Sequence, residues 1–186
     1  GVIGVENLKN IRTMNFKNEN DKIIIIGKTY DEVGGSEYYR SVHNIEQGKA
    51  PKVRIDEEFD NANAVLNLIK EDSNEFITAV HDCSQGGIAV ALSEMAISGG
   101  YGCEIDVSKI PKEDKITNNN LIYSESHGRY IITVKSDALN DILSKINVPC
   151  NCIGEVKGKS LILADMDISI EKLNDSYNGV IEQYMS

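Results

Sequence analysis

The chain has 186 residues and a mass of 20.5 kDa, with 29 acidic against 19 basic side chains, a net charge of −10 and a pI near 4.8. That charge repels a phosphate backbone and no basic run overrides it, so nucleic acid is excluded as the expected partner. At 41% hydrophobic and 26% charged the composition is that of a folding globular chain, and apolar runs such as Ile23–Ile26 fall far short of the roughly 20 residues of a membrane span, so no membrane is expected.

The opening residues Gly1 to Glu6 lack an initiator Met and the basic and apolar regions of a secretory signal, which is read as the mark of a fragment. Four cysteines (Cys83, Cys103, Cys150, Cys152) are too few for a secreted disulfide framework and are expected as reduced thiols in the cytoplasm. Cys150 and Cys152 have no second Cys or His pair nearby, so zinc is not expected.

In chain order, Lys22 to Gly27 is a β-branched run that predicts a strand buried on both faces. Ser36 then caps a short helix from Glu37 to Val42, and Gly48 and Pro51 mark a connection. From Asp56, taken as N-cap, the spacing of Phe59, Ala62, Val65, Leu66 and Ile69 predicts an amphipathic helix, with Glu57 and Glu58 in its first turn. Phe76–Val80 reads as a strand, residues 81–87 as a tight turn, and Ile88–Ser98 as a helix closed by Gly99-Gly100. Further strands are expected at Gly102–Val107 and Tyr130–Lys135, a helix at Asp137–Ile146, and a hairpin of Cys150–Val156 and Ser160–Ala164 joined at Lys157–Lys159. Ser169 caps a C-terminal helix. The fold class is α/β (α+β), a mixed sheet covered by helices.

Three segments carry candidate chemistry. Asp82-Cys83-Ser84-Gln85-Gly86-Gly87 feeds a helix, whose free N–H groups and positive dipole end attract an anion that glycines allow close to the backbone. Ser84 would donate its hydroxyl to that anion, and Asp82 would offer a hard oxygen to Mg²⁺. The alternative is that Ser84 only caps the helix and Asp82 makes a turn bond. Gly34-Gly35-Ser36 repeats the same physics at a second helix start, with an ordinary loop as its alternative. In Ser124-Glu125-Ser126-His127-Gly128-Arg129, Glu125 and Arg129 pair with each other or face a nucleotide. His81 beside Cys83 lacks an acidic orienter in the sequence, so a thiol hydrolase is rejected.

Taken together, His81–Ala96, Ser98–Gly102, Asp31–Tyr38 and Ser124–Arg129 resemble the phosphoribosylformylglycinamidine synthase family, with the motifs in family order over residues 20 to 164. That family is similar in fold to aminoimidazole ribonucleotide synthetase. The resemblance implies a tail of an N-terminal-type, ATP-binding domain at residues 1–45 and a C-terminal-type α/β domain at 46–186. It implies ATP and Mg²⁺ as cofactors and formylglycinamide ribonucleotide as substrate. A glutaminase subunit, a small accessory subunit and the remaining domains of the polypeptide would be its partners. By the same resemblance Gly34, Gly35, Ser36, Ser84, Gly86 and Gly87 bind phosphate or substrate, Asp82 binds metal, and Glu125, Ser126 and Arg129 contact nucleotide or substrate. The family's active-site histidine lies in domains this chain lacks, so no catalytic residue and no stand-alone activity are expected. Exposed strand edges suggest a homodimer of the fragment. The alternatives are another member of the superfamily, of the selenophosphate synthetase or hydrogenase maturation type, and a non-catalytic assembly module.

Overall fold

The computed structural model describes residues 4–72 and 75–185. One seven-stranded sheet organises them, formed by β1 (Lys22–Ile26), β2 (Ile77–Asp82), β3 (Cys103–Ile105), β4 (Tyr130–Val134), β5 (Cys150–Val156), β6 (Ser160–Leu163) and β7 (Met166–Ser169). The strand order is β2-β4-β1-β5-β3-β6-β7, antiparallel throughout except for the parallel pair β3–β6. The helices are α1 (Glu37–His43), α2 (Ile55–Glu71), α3 (Gly87–Gly99), α4 (Asn118–Tyr123), α5 (Leu139–Lys145) and α6 (Ile170–Met185).

The sheet separates two apolar cores. Because side chains alternate along a strand, Ile23 and Ile25 join α3 and α4 on one face, while Ile24 and Ile26 join α2 and α5 on the other. All four isoleucines are fully buried, as a central strand covered on both faces requires. The mixed sheet covered by helices is therefore as expected. Ser36 caps α1 by accepting from the Tyr39 amide, Ser169 accepts from the Lys172 amide at the start of α6, and Gly100 closes α3 in the left-handed conformation.

Several expectations are corrected. Cys150–Val156 and Ser160–Ala164 do not form a hairpin: β3 lies between β5 and β6, antiparallel to one and parallel to the other. The hairpin in this region is β6–β7, turning at Ala164 and Asp165 with Ala164 at a positive φ. Gly154 makes the insertion of β3 possible, because a Cβ there would run into the Glu104 carbonyl. β1, which precedes the boundary expected at 45/46, lies between β4 and β5 in the same sheet. In α2 the N-cap is Arg54 and Asp56 lies in the first turn. Its buried face is Asn61, Ala64, Val65 and Leu68, whereas Phe59 and Leu66 are exposed. β2 extends through His81 and Asp82, β3 ends at Ile105 before a 3-10 turn capped by Asp106, and α4 and β7 were unanticipated.

The β2 edge is not open along its length. Val80 donates its amide to the Thr13 carbonyl and Arg12 donates to Ile77 O, so the segment before β1 covers part of that edge. Among the described residues all four cysteines are free thiols, and no helix is long and apolar enough to cross a membrane.

Candidate functional site

The three sequence motifs meet in space, and one carboxylate joins them. Glu125 Oε1 accepts from the Gly86 amide at the start of α3 and from the Glu37 amide at the start of α1, each at 2.9 Å. Two helix N-termini thus share one internal anion, the arrangement their dipoles favour. α3 has no side-chain cap from its own turn; Gly86 is its N-cap residue at φ 75°, so Ser84 is not the cap. Gly87 is also left-handed, and a Cβ on it would collide with the Ser124 and Ile122 carbonyls. Its smallness brings α3 against the segment that carries Glu125.

The loop 124–129 is fixed from within. Arg129, expected at a nucleotide or paired with Glu125, is 1% exposed and forms no ion pair with Glu125. Its guanidinium donates to Ser126 O at 2.9 Å, Thr29 Oγ1 at 3.0 Å and Ser124 O at 2.6 Å. Burial pushes its pKa down, and the nearby acidic groups oppose that. Arg129 therefore positions the loop through its backbone carbonyls. Ser126 is likewise buried, and its hydroxyl accepts from the Tyr30 amide at 3.1 Å. Ser124 Oγ donates to Tyr30 O at 2.7 Å, and the Glu125 amide donates to Glu32 O at 3.2 Å.

The Gly34-Gly35-Ser36 segment is tied to the same assembly. Ser36 is buried, and its hydroxyl donates to Val33 O at 2.5 Å while accepting from Tyr39 N. Gly34 lies against the backbone of Gly48 and Lys49, and Gly35, at φ 69°, faces open space. Glu32 forms a two-pronged ion pair with Arg54 at 2.8 and 3.1 Å. Burial pushes the Glu32 carboxyl up, yet the bonds from Arg54 and the Lys52 amide outweigh it and hold the group below its ordinary value.

Facing solvent are Asp82, with 63% of its side chain exposed, and Ser84 and Gln85. His81 Nδ1 is 3.7 Å from Asp82 Oδ1, and its Nε2 is 2.9 Å from Glu94 Oε2. Glu94 is the acidic partner that the sequence did not reveal, thirteen residues away. Cys83 is buried, and that burial pushes its thiol up to about 11. Among the described residues no three His, Cys, Asp or Glu side chains are grouped to hold a metal ion. Asp82 presents its carboxylate to solvent beside this turn.

This sheet, with α3 entered through a glycine turn, defines a C-terminal domain of the AIR synthase type. The family model described as AIR synthase related protein, C-terminal domain, matches residues 18–164, and the chain belongs to that family. Its start ahead of β1 agrees with the placement of that strand in the sheet. Phosphoribosylformylglycinamidine synthase subunit PurL of Methanobrevibacter smithii is 60% identical over 186 residues, which is 100% of this chain and 26% of the relative. The chain thus spans about a quarter of the length of that curated relative. Among solved structures, Thermotoga maritima PurL complexed with FGAR matches 89% of this chain and 30% of that one, with a TM-score of 0.76 at 16% identity. The Thermotoga maritima PurLQS structure matches 91% of this chain and 28% of that one, with a TM-score of 0.71 at 17% identity. At these identities the two structures show the fold.

Proposed function

We propose that the chain is part of a phosphoribosylformylglycinamidine synthase, the ATP-dependent ligase that converts formylglycinamide ribonucleotide to the amidine. The observation that carries this reading is the 60% identity to a curated PurL along all 186 residues. In the reaction the amide oxygen takes the γ-phosphoryl group of ATP, and ammonia supplied by a glutaminase displaces that phosphate to leave the C–N bond of the amidine. Mg²⁺ would neutralise phosphate charge in this chemistry. The neighbour solved as PurLQS supports partner subunits, which on this reading are a glutaminase and a small accessory subunit, and the neighbour complexed with FGAR supports the substrate. The reaction's setting would be the cytoplasm.

Within this reading Asp82 and Ser84, exposed at the mouth of the glycine turn, are the groups available to a phosphate and its metal, and Gly35 leaves open space at the second turn. Gly34, Ser36, Gly86, Gly87, Glu125, Ser126 and Arg129 hold the three segments in register. The test is complementation of a purine auxotroph by the full-length gene, together with an assay of amidine formation from substrate, ATP and ammonia. Full-length protein is expected to complement and turn over, and the 186-residue chain to do neither. Asp82→Ala and Ser84→Ala in full-length protein should abolish turnover while preserving the fold; unaltered turnover in both rejects the site assignment. The hydrogenase maturation and selenophosphate synthetase alternatives are not favoured, because the high-identity relative carries the purine enzyme's name.

A second reading has one specific observation in its favour. Glu125 already occupies the amides that a phosphate would take at Gly86 and Glu37. On that reading the turn supports the architecture of the longer enzyme without meeting a ligand. It predicts that phosphate leaves the melting temperature of the 186-residue chain unchanged.

A further inference from the structure

α2 carries two apolar stripes, and the fold uses one of them. Asn61, Ala64, Val65 and Leu68 face the sheet. Ile55, Phe59, Ala62 and Leu66 repeat at i, i+4, i+7 and i+11, the spacing of a single seam along a helix, and they point away from that face. Ile55 is 74% exposed, Phe59 66% and Leu66 49%, with Ala62 half-buried. A seam of four residues extends about 16 Å along the helix at 1.5 Å per residue. A surface helix ordinarily turns charged and polar residues away from its core face, so a second apolar stripe on that side marks a face suited to burial.

We infer that the Ile55–Phe59–Ala62–Leu66 seam of α2 is an internal interface, covered by a part of the longer polypeptide that lies outside these 186 residues. The inference rests on the reading of the chain as part of a synthetase of PurL length, and two observations select this occupant. The chain accounts for 26% of the relative it matches along its whole length, so about three quarters of such a polypeptide is available to pack against it. A second copy of α2 is disfavoured by charge. The helix carries Asp56, Glu57, Glu58, Asp60 and Glu71 against Lys70 alone, so self-association would face acidic rims toward each other in a chain of net charge −10. The covering surface is therefore apolar at its centre and neutral or basic at its rim.

Hydroxyl-radical footprinting of full-length protein and of the 186-residue chain tests this, read at Ile55, Phe59 and Leu66. The expected result is oxidation several-fold slower in full-length protein. Phe59→Glu combined with Leu66→Glu should leave the unfolding midpoint of the 186-residue chain in place and lower that of the full-length protein. Equal oxidation in the two proteins overturns the inference. A dimer of the 186-residue chain that the double variant abolishes, with no protection in the full-length protein, also overturns it, in favour of a second copy. Complementation by the same full-length gene is scored separately. A protein that complements while its seam stays exposed rejects the interface and leaves the synthase reading intact, whereas a protein that is protected but fails to complement rejects that reading alone.

Discussion

At the scale of single residues, Glu125 has the largest consequence, because one carboxylate oxygen satisfies two helix ends that come from distant parts of the chain. Charge-assisted hydrogen bonds of this kind contribute about 1.5–3 kcal/mol each, and unsatisfied donors add a desolvation cost. Glu125→Ala is expected to lower stability by about 3 kcal/mol in urea denaturation, with Glu125→Gln costing about 1 kcal/mol because it keeps the acceptor and loses the charge. Millimolar phosphate should restore part of the loss in the Ala variant. A variant indifferent to phosphate would mean that the vacated space cannot take an anion. The buried thiols give a pH-dependent counterpart. Burial raises Cys83 to about 11 and Cys103 to about 12 from an ordinary value of 9.0. A folded-state pKa above the unfolded one contributes stability that is complete below the unfolded pKa and is lost as pH rises through the folded one. Stability should therefore decline between about pH 9 and pH 12, and less so in a Cys83→Ala, Cys103→Ala variant. At pH 8 a thiol reagent should reach neither Cys83 nor Cys103 before unfolding.

At the scale of elements, α2 provides a paired test of which stripe holds the sheet. Leu68 is 4% exposed and Leu66 49%, so Leu68→Ala should cost about 2–4 kcal/mol in the 186-residue chain and Leu66→Ala within about 0.5 kcal/mol, measured by chemical denaturation. The same helix shows what a sequence does and does not disclose. Its existence and acidic first turn are legible in local spacing, but two apolar stripes compete there, and only the contact with Ile24, Ile132 and Val134 decides between them. β1 was legible because four consecutive isoleucines have no other explanation than burial on both sides. The insertion of β3 between β5 and β6 was not, because strand order depends on long-range pairing and the short link 157–159 imitates a hairpin. In the site, the glycine turn and the helix it starts could be read from residues 82–100. The remote cap by Glu125 could not, because it lies 39 residues from Gly86 and 88 from Glu37. The burial of Arg129 was hidden for a related reason: nothing local shows that backbone carbonyls surround its guanidinium.

At the scale of the whole molecule, the position of β1 makes residues 22–26 indispensable to everything after them. A chain beginning at residue 46 would leave β4 and β5 without the strand that lies between them and would open both cores. That truncation is expected to give no cooperative thermal transition by circular dichroism, while the 186-residue chain melts in one; a cooperative melt of residues 46–186 would instead support a domain boundary at 45/46. The shortness of β3 has a different outcome. Within the sheet, three residues form the seam between β2-β4-β1-β5 on one side and β6-β7 on the other. Thermal fluctuations that unzip those few rungs and lift Leu161 and Leu163 from the core they share with α3 would let the β6-β7-α6 section swing out on its 157–159 tether, with the rest of the sheet still assembled. Backbone amides of residues 160–169 should accordingly exchange with deuterium earlier than those of residues 22–26, and a protease acting on the native protein should make its first cut in that tether.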